Sequence, residues 1–323
     1  MHIVVIGATG HIGTFLVPRL VRAGHRVTAL SRGTSTPYAD APEWQQVERV
    51  TADREQEDRG GTFGDRIAAL GADAVVDLVC FTADSARSLV EALRGSGTHL
   101  VHCGSIWRAG ASHVLPITEE NATPPTGKYG VQKDAIARML QEETASGGLP
   151  TTSLHPGHIS GPGWIPIGPL GNLDTSVLTR LSAGAAVEVP GLGAESMAHV
   201  HADDVAQAFQ LAVEHRDAAD GQAFFITAPT ALTARGYAHL AASWFGQEAR
   251  LDSVTWDRFR ETTAPEHADA SWEHLSRSQV FSTEKATRLL GYAPAFTAEE
   301  TVLDAVRWLV EHGELELPNP LVV

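Results

Sequence analysis

Ile3, Val4, Val5 and Ile6 form an unbroken apolar run at the start of the chain. A β-branched run of this length fits a strand buried on both faces. Similar runs return at 25–30, 47–51, 73–80, 98–103 and 151–154. Between them the pattern changes period. Phe15, Leu16, Val17 and Leu20 in 14–23, and Phe63, Ile67 and Leu70 in 62–70, recur at helical spacing, and 83–94 reads as a further helix. The stretch 34–44 carries Pro37 and Pro42 and reads as a loop; the charged stretch 54–61 reads as surface. Strands alternating with crossovers imply an α/β chain with a parallel, doubly wound sheet. Ligands of such sheets bind outside the carboxyl ends of the strands. Those ends carry Gly7, Arg32, Asp53, Cys80, Phe81, Gly104 and Ser105, which are expected to line one crevice.

The second half is patterned differently. Helices are expected over 129–141, 172–183, 233–245 and 297–312, with shorter ones at 256–260 and 270–275. Short strands are expected at 187–190 and 251–254, and 222–227 reads as a strand that returns to the sheet. The stretch 165–173, rich in proline and glycine, reads as a loop and a possible lid. Asp203 or Asp204 reads as the cap of the adjoining helix.

The turn after the first strand is Gly7-Ala8-Thr9-Gly10-His11-Ile12-Gly13. Strand, glycine turn and helix in immediate succession point to a nucleotide. Gly7 lets the chain turn sharply, Gly10 lets a pyrophosphate approach the backbone, and Gly13 lets helix and strand pack closely. The free N–H groups of the helix start then face the phosphates. Thr9, His11 and Ile12 belong to the same cofactor-binding turn. At the end of the second strand stands Ser31-Arg32-Gly33, with no acid for the ribose hydroxyls. Arg32 can pair with a 2′-phosphate, so NADP(H) is favoured over NAD(H). Asp53 either hydrogen-bonds the adenine amino group or caps the next segment of the chain.

The whole composition narrows the function classes. The 323 residues are 43% hydrophobic and 20% charged, as in an ordinary globular protein. The formal net charge of −15 argues against a nucleic-acid partner. Cys80 and Cys103 read as small core residues of a reducing compartment, without metal spacing. His199 and His201 alternate toward one side but lack further ligands nearby, so no metal is expected. With no signal segment and no apolar stretch of membrane length, the expectation is a cytoplasmic protein that does not touch membranes.

Tyr129 and Lys133 stand four apart on one helix face, and Ser105 ends the fifth strand. A lysine beside a tyrosine favours the phenolate, and a serine can orient the same substrate oxygen. Together with the glycine turn, Tyr129-x-x-x-Lys133 resembles the short-chain dehydrogenase/reductase superfamily. Length and later motifs resemble its extended branch, the NAD(P)-dependent epimerase/dehydratase family. Among these are Pro116-Ile117-Thr118-Glu119-Glu120, His155-Pro156-Gly157-His158-Ile159-Ser160-Gly161-Pro162-Gly163, Val200-His201-Ala202-Asp203-Asp204 and Leu290-Gly291-Tyr292-Ala293-Pro294.

That resemblance implies a Rossmann-type doubly wound parallel sheet with a smaller C-terminal α/β substrate domain. Residues 1–160 plus 199–230 would form the dinucleotide-binding domain, and 161–198 plus 231–323 the substrate-binding part. It implies Tyr129 as acid/base, Lys133 on the nicotinamide ribose lowering the tyrosine pKa, and Ser105 as third member. Pro156, Gly157 and His158 join the cofactor set, and Ser105, Trp107, His158, Trp164 and Met197 the substrate pocket.

Four departures stand out. His155 replaces a usual arginine, Ser160 replaces a common aromatic residue, and His158 falls where many members carry a substrate-contacting asparagine. Met197 stands where sugar-nucleotide members carry an arginine for the diphosphate. Methionine cannot pair with phosphate, so a less charged small molecule is the expected substrate.

The leading expectation is an NADP(H)-dependent oxidoreductase acting on a secondary alcohol or ketone. The alternatives are an epimerase of a sugar or sugar nucleotide and, in another class, a non-catalytic nucleotide-binding or regulatory protein. A homodimer is carried as a family expectation.

Overall fold

The computed structural model describes residues 1–323. Seven strands form one parallel sheet: β1 (His2–Ile6), β2 (Arg26–Ser31), β3 (Glu48–Thr51), β4 (Ala74–Asp77), β5 (His99–Cys103), β6 (Thr151–Pro156) and β7 (Ala223–Ile226). Their spatial order is β7-β6-β5-β4-β1-β2-β3. The order reverses between β1 and β4, and that switch point opens a crevice at the carboxyl ends.

The apolar run of β1 is explained by the pleat. Ile3 and Val5 enter one core, with Leu16 and Leu20 of the helix His11–Arg22 and Val205 and Phe209 of the helix Ala202–Glu214. Val4 and Ile6 enter the core on the other face, with Leu89 and Val90 of the helix Ala83–Leu93 and Ile136 and Leu140 of the helix Lys128–Ala145. A third core, drawn from Leu170 to Leu315 and including Tyr237, Trp244 and Phe259, is built by the segments that leave the sheet. Ala286, Leu290 and Tyr292 pack instead on the first sheet core. Tyr292 Oη donates to the Thr227 carbonyl at 3.1 Å, and Lys285 Nζ donates to the Ala223 carbonyl at 3.0 Å. Part of the C-terminal stretch therefore belongs structurally to the sheet.

Four local expectations need correction. The first helix starts at His11, not at 14, because the last residues of the glycine turn are already its first turn. The charged stretch after Asp53 is a helix, Arg54–Gly60, and its first residue is not on the surface. Arg54 is 8% exposed and its guanidinium meets the carboxylate of Asp77, which is 2% exposed. The strand read over 73–80 ends at Asp77 for the same reason: that side chain turns inward to the arginine. Neither Asp203 nor Asp204 caps the helix Ala202–Glu214. His201 Nδ1 accepts the Asp203 N–H at 3.0 Å. Asp203 pairs with Arg19 at 2.6 Å, and Asp204 accepts the N–H groups of Ala295 and Phe296.

Candidate active site

A cleft of about 550 Å³ lies at the switch point. At its cofactor end are Gly7, Gly10, His11 and Ile12. Gly7 has φ +85°, a conformation that side chains resist. A Cβ on Gly13 would overlap the carbonyl of Ala8, so helix and turn meet only because that atom is missing. Gly10 precedes the helix without a side-chain cap, and no acid sits in the first turn. Elsewhere Asp53, Thr82, Thr233 and Thr255 cap their helices with side chains. Here the N–H groups are left for a ligand, and the two ring nitrogens of buried His11 also lack a hydrogen-bond partner. These features fit a dinucleotide pyrophosphate.

Ser105, Trp107, Tyr129 and Lys133 face the same cleft, as do Phe81, Pro156, Gly157, His158 and Trp164. Two devices bring the Ser105 turn to the tyrosine helix. Arg108 donates from Nε and Nη2 to Asp134 Oδ1 at 3.2 and 2.9 Å. Gly130 has no Cβ, which would overlap the Trp107 carbonyl. His155 braces the turn from below. Its ring lies where a Cβ on Gly104 would be, and Ser105 N–H points at its Nδ1 at 3.3 Å. Burial, and after it the Arg108 charge, hold His155 neutral by pushing its pKa well below the ordinary range. Arg108, Asp134 and Gly130 were not singled out by sequence. Gly130, directly after Tyr129 inside a helix, was the readable signal, since an interior glycine needs a packing reason.

Lys133 is 2% exposed, and its ammonium donates to the carbonyls of Cys80 and Cys103 at 2.8 Å each. The same ammonium lies 5.8 Å from the centre of the Tyr129 ring. Burial pushes the phenol pKa up, the Cys103 side chain adds to this, and the Ser105 hydroxyl pulls it down. The phenol side chain remains 41% exposed to the cleft. Ser105 Oγ accepts the Trp107 N–H at 3.2 Å, which leaves its own proton free to donate.

Other expected residues lie outside the cleft. Met197 is 1% exposed in the third core, turned inward by pairing of Ser196–Met197 with Leu232–Thr233, so it is not a pocket residue. Cys80 contributes its carbonyl to Lys133 while its thiol is buried in the sheet core. Asp53 Oδ1 accepts the Gln56 N–H at 3.0 Å, which is its capping alternative. Arg32 is exposed and without a side-chain partner at the end of β2. Ser31 Oγ accepts the Gly33 N–H at 3.3 Å, and Thr9 Oγ1 lies 3.0 Å from Ser35 Oγ. The cleft gains Leu78, Ile106, Ile159, Ile167 and His274, which the sequence reading did not assign.

The family model of the NAD dependent epimerase/dehydratase family matches residues 3–226. The chain belongs to the NAD-dependent epimerase/dehydratase family. Its curated relatives include two reductases and an epimerase. It is 30% identical over 208 residues to a 2′-dehydrokanamycin reductase of Streptomyces kanamyceticus, a match covering 64% of this chain and 56% of that protein. It is 28% identical to chloroplast stem-loop binding protein of 41 kDa b of Arabidopsis thaliana, over 94% of this chain and 78% of that one. Among solved structures, an epimerase of Methanothermobacter thermautotrophicus superposes with a TM-score of 0.74 at 19% identity, covering 97% of this chain and 93% of the other. The epimerase/dehydratase fold therefore extends over nearly all of the chain.

Proposed function

We propose that the protein is an NADP(H)-dependent oxidoreductase that transfers a hydride to or from a secondary alcohol or ketone carbon of a small molecule. The observation that carries this reading is the convergence of Tyr129, Ser105 and Lys133 with the uncapped glycine turn in one cleft. When bound, the nicotinamide supplies the carbon that gives or accepts hydride.

The chain's own residues do the rest. The turn N–H groups hold the pyrophosphate, and Arg32 pairs with the 2′-phosphate. Lys133 ties together the segments after β4 and at the end of β5, and these would hold the nicotinamide ribose. Tyr129 donates its phenol proton to the substrate oxygen on reduction of the adjacent carbon. In the reverse direction it takes that proton back. The free proton of Ser105 hydrogen-bonds the same oxygen and disperses its developing charge. The net charge of −15 weighs against a nucleic-acid role like that in the name of the chloroplast relative.

Tyr129→Phe tests the reading. It is expected to abolish NADPH consumption with a ketone substrate while NADPH binding survives. Net consumption also separates a reductase from an epimerase, which returns its cofactor unchanged. NADPH is expected to bind more tightly than NADH to the wild type, and Arg32→Ala to lose that difference, by roughly 10- to 100-fold. Retained turnover in Tyr129→Phe, or tighter NADH binding, contradicts it.

A further inference from the structure

The substrate end of the cleft is built from Trp107, His158, Trp164, Ile165, Leu173 and His274. No arginine, aspartate or glutamate lines the cleft. Lys133 is its one ammonium, and that group is already bonded to two backbone carbonyls. A diphosphate would therefore find no cationic side chain in the lining itself to pair with. Behind the lining, Arg277 stacks on Trp107 at 4.4 Å and hydrogen-bonds Thr126 through Nη1 and Nη2 at 3.3 Å, while its Nε is buried without a partner. It braces the tryptophan outside the lining.

Two imidazoles supply the polar groups. His274, on the helix Pro265–Leu275, lies edge-on to Trp107, with ring centres 5.0 Å apart, and 5.0 Å from the His158 ring. Its Nδ1 donates to the Ala270 carbonyl at 2.8 Å. That bond fixes the neutral tautomer and leaves Nε2 as a lone pair that no protein group meets. Neither ring nitrogen of His158 has a protein partner either, so its neutral ring offers one donor and one acceptor. Burial lowers the pKa of both rings, that of His158 well below the ordinary range, and His274, His199 and Arg277 lower it further there. They face the cleft as hydrogen-bonding groups, not as cations. Apolar ring faces beside fixed, neutral hydrogen-bonding nitrogens suit a molecule with C–H faces and hydroxyl edges.

We propose that the substrate is a neutral polyhydroxylated ring without a nucleotide diphosphate, and that His274 Nε2 accepts a hydrogen bond from one of its hydroxyls. His158 holds a second hydroxyl beside the carbon that Tyr129 serves. This rests on the oxidoreductase reading of the cleft.

The test uses the full-length protein with NADPH and three probes: 2-keto-myo-inositol, methyl 3-keto-α-D-glucoside and UDP-glucose. Binding is read by saturation-transfer NMR and turnover by NADPH absorbance. A ring ketone is expected to bind more tightly than UDP-glucose. His274→Phe is expected to raise its KM about tenfold with a smaller change in kcat and unchanged NADPH affinity. His274→Gln, whose amide oxygen supplies an acceptor, is expected to recover most of that loss. UDP-glucose binding more tightly than both ketones, or an unchanged KM in His274→Phe, overturns the inference while the oxidoreductase reading stands. Failure of the wild type to bind NADPH overturns that reading first.

Discussion

Arg54 and Asp77 show how much a single pair of side chains decides. A guanidinium and a carboxylate are buried together behind the cleft, with Arg54 Nε also 3.1 Å from Ser85 Oγ and 3.3 Å from Asp58. The Arg54 charge holds the Asp77 carboxyl below its usual range against the opposing effect of burial. Arg54→Met leaves Asp77 charged and alone, and is expected to destabilise the fold by about 3–5 kcal/mol in urea denaturation. Arg54→Met with Asp77→Leu is expected to recover much of that, because no charge is then stranded. A single variant as stable as the wild type contradicts this account. The sequence concealed the pair. The stretch after Asp53 looks solvated because six of its first seven residues are polar or charged, and nothing local marks the one that turns inward. Tyr129, Ser105 and the glycines were legible because their spacing carries their geometry. Met197 misled because a position in a family pattern does not say which way a two-residue strand faces. His274 left no signal, since it reaches the cleft from a distant helix, Pro265–Leu275.

At the scale of an element, the first strand, turn and helix act as one piece. Gly13 is the joint: the Ala8 carbonyl occupies the space a side chain would need. Gly13→Ala must push the helix off β1, and overpacking of this kind costs about 1–3 kcal/mol. The same shift misaligns the N–H groups that face the pyrophosphate. NADPH affinity is therefore expected to fall along with the thermal midpoint, measured by titration and by calorimetry on the same variant. Gly24→Ala is the control for removing a glycine, since nothing lies within 4 Å of its added carbon. Its positive φ of +84° carries some strain, but it lies away from the cofactor turn and is expected to leave NADPH affinity intact. The sheet elements were readable because pleated strands buried on both faces need continuous apolar runs. Their ends were less so, since β4 stops where an ion pair, not a pattern, dictates.

For the whole molecule, the buried histidines set the response to acid. Burial lowers the pKa of His11 and His99 from 6.5 to about 4, and that of His102 and His199 to about 3. In the unfolded chain these rings take protons near 6.5; in the folded chain they do not until far lower. Their contribution to stability is thus complete above about pH 6.5 and is lost as the pH falls toward about 4, by up to about 1.4 kcal/mol per pH unit for each ring. The unfolding midpoint is expected to drop steadily from about pH 7 to about pH 5, with proton uptake on unfolding. A flat profile over that range contradicts the assignment.

The seventh strand has a consequence for any attempt to divide the protein. β7 is laid beside β6 only after the chain has left the sheet through 161–198 and returned along the helix Ala202–Glu214, so the cofactor half is stitched shut by residues synthesised late. A shortened chain ending at 160 would bare the hydrogen-bonding rim of β6 and the apolar partners of Phe224 and Ile226, and is expected to aggregate when expressed alone. Nascent chains on the ribosome face the same gap until translation passes residue 226.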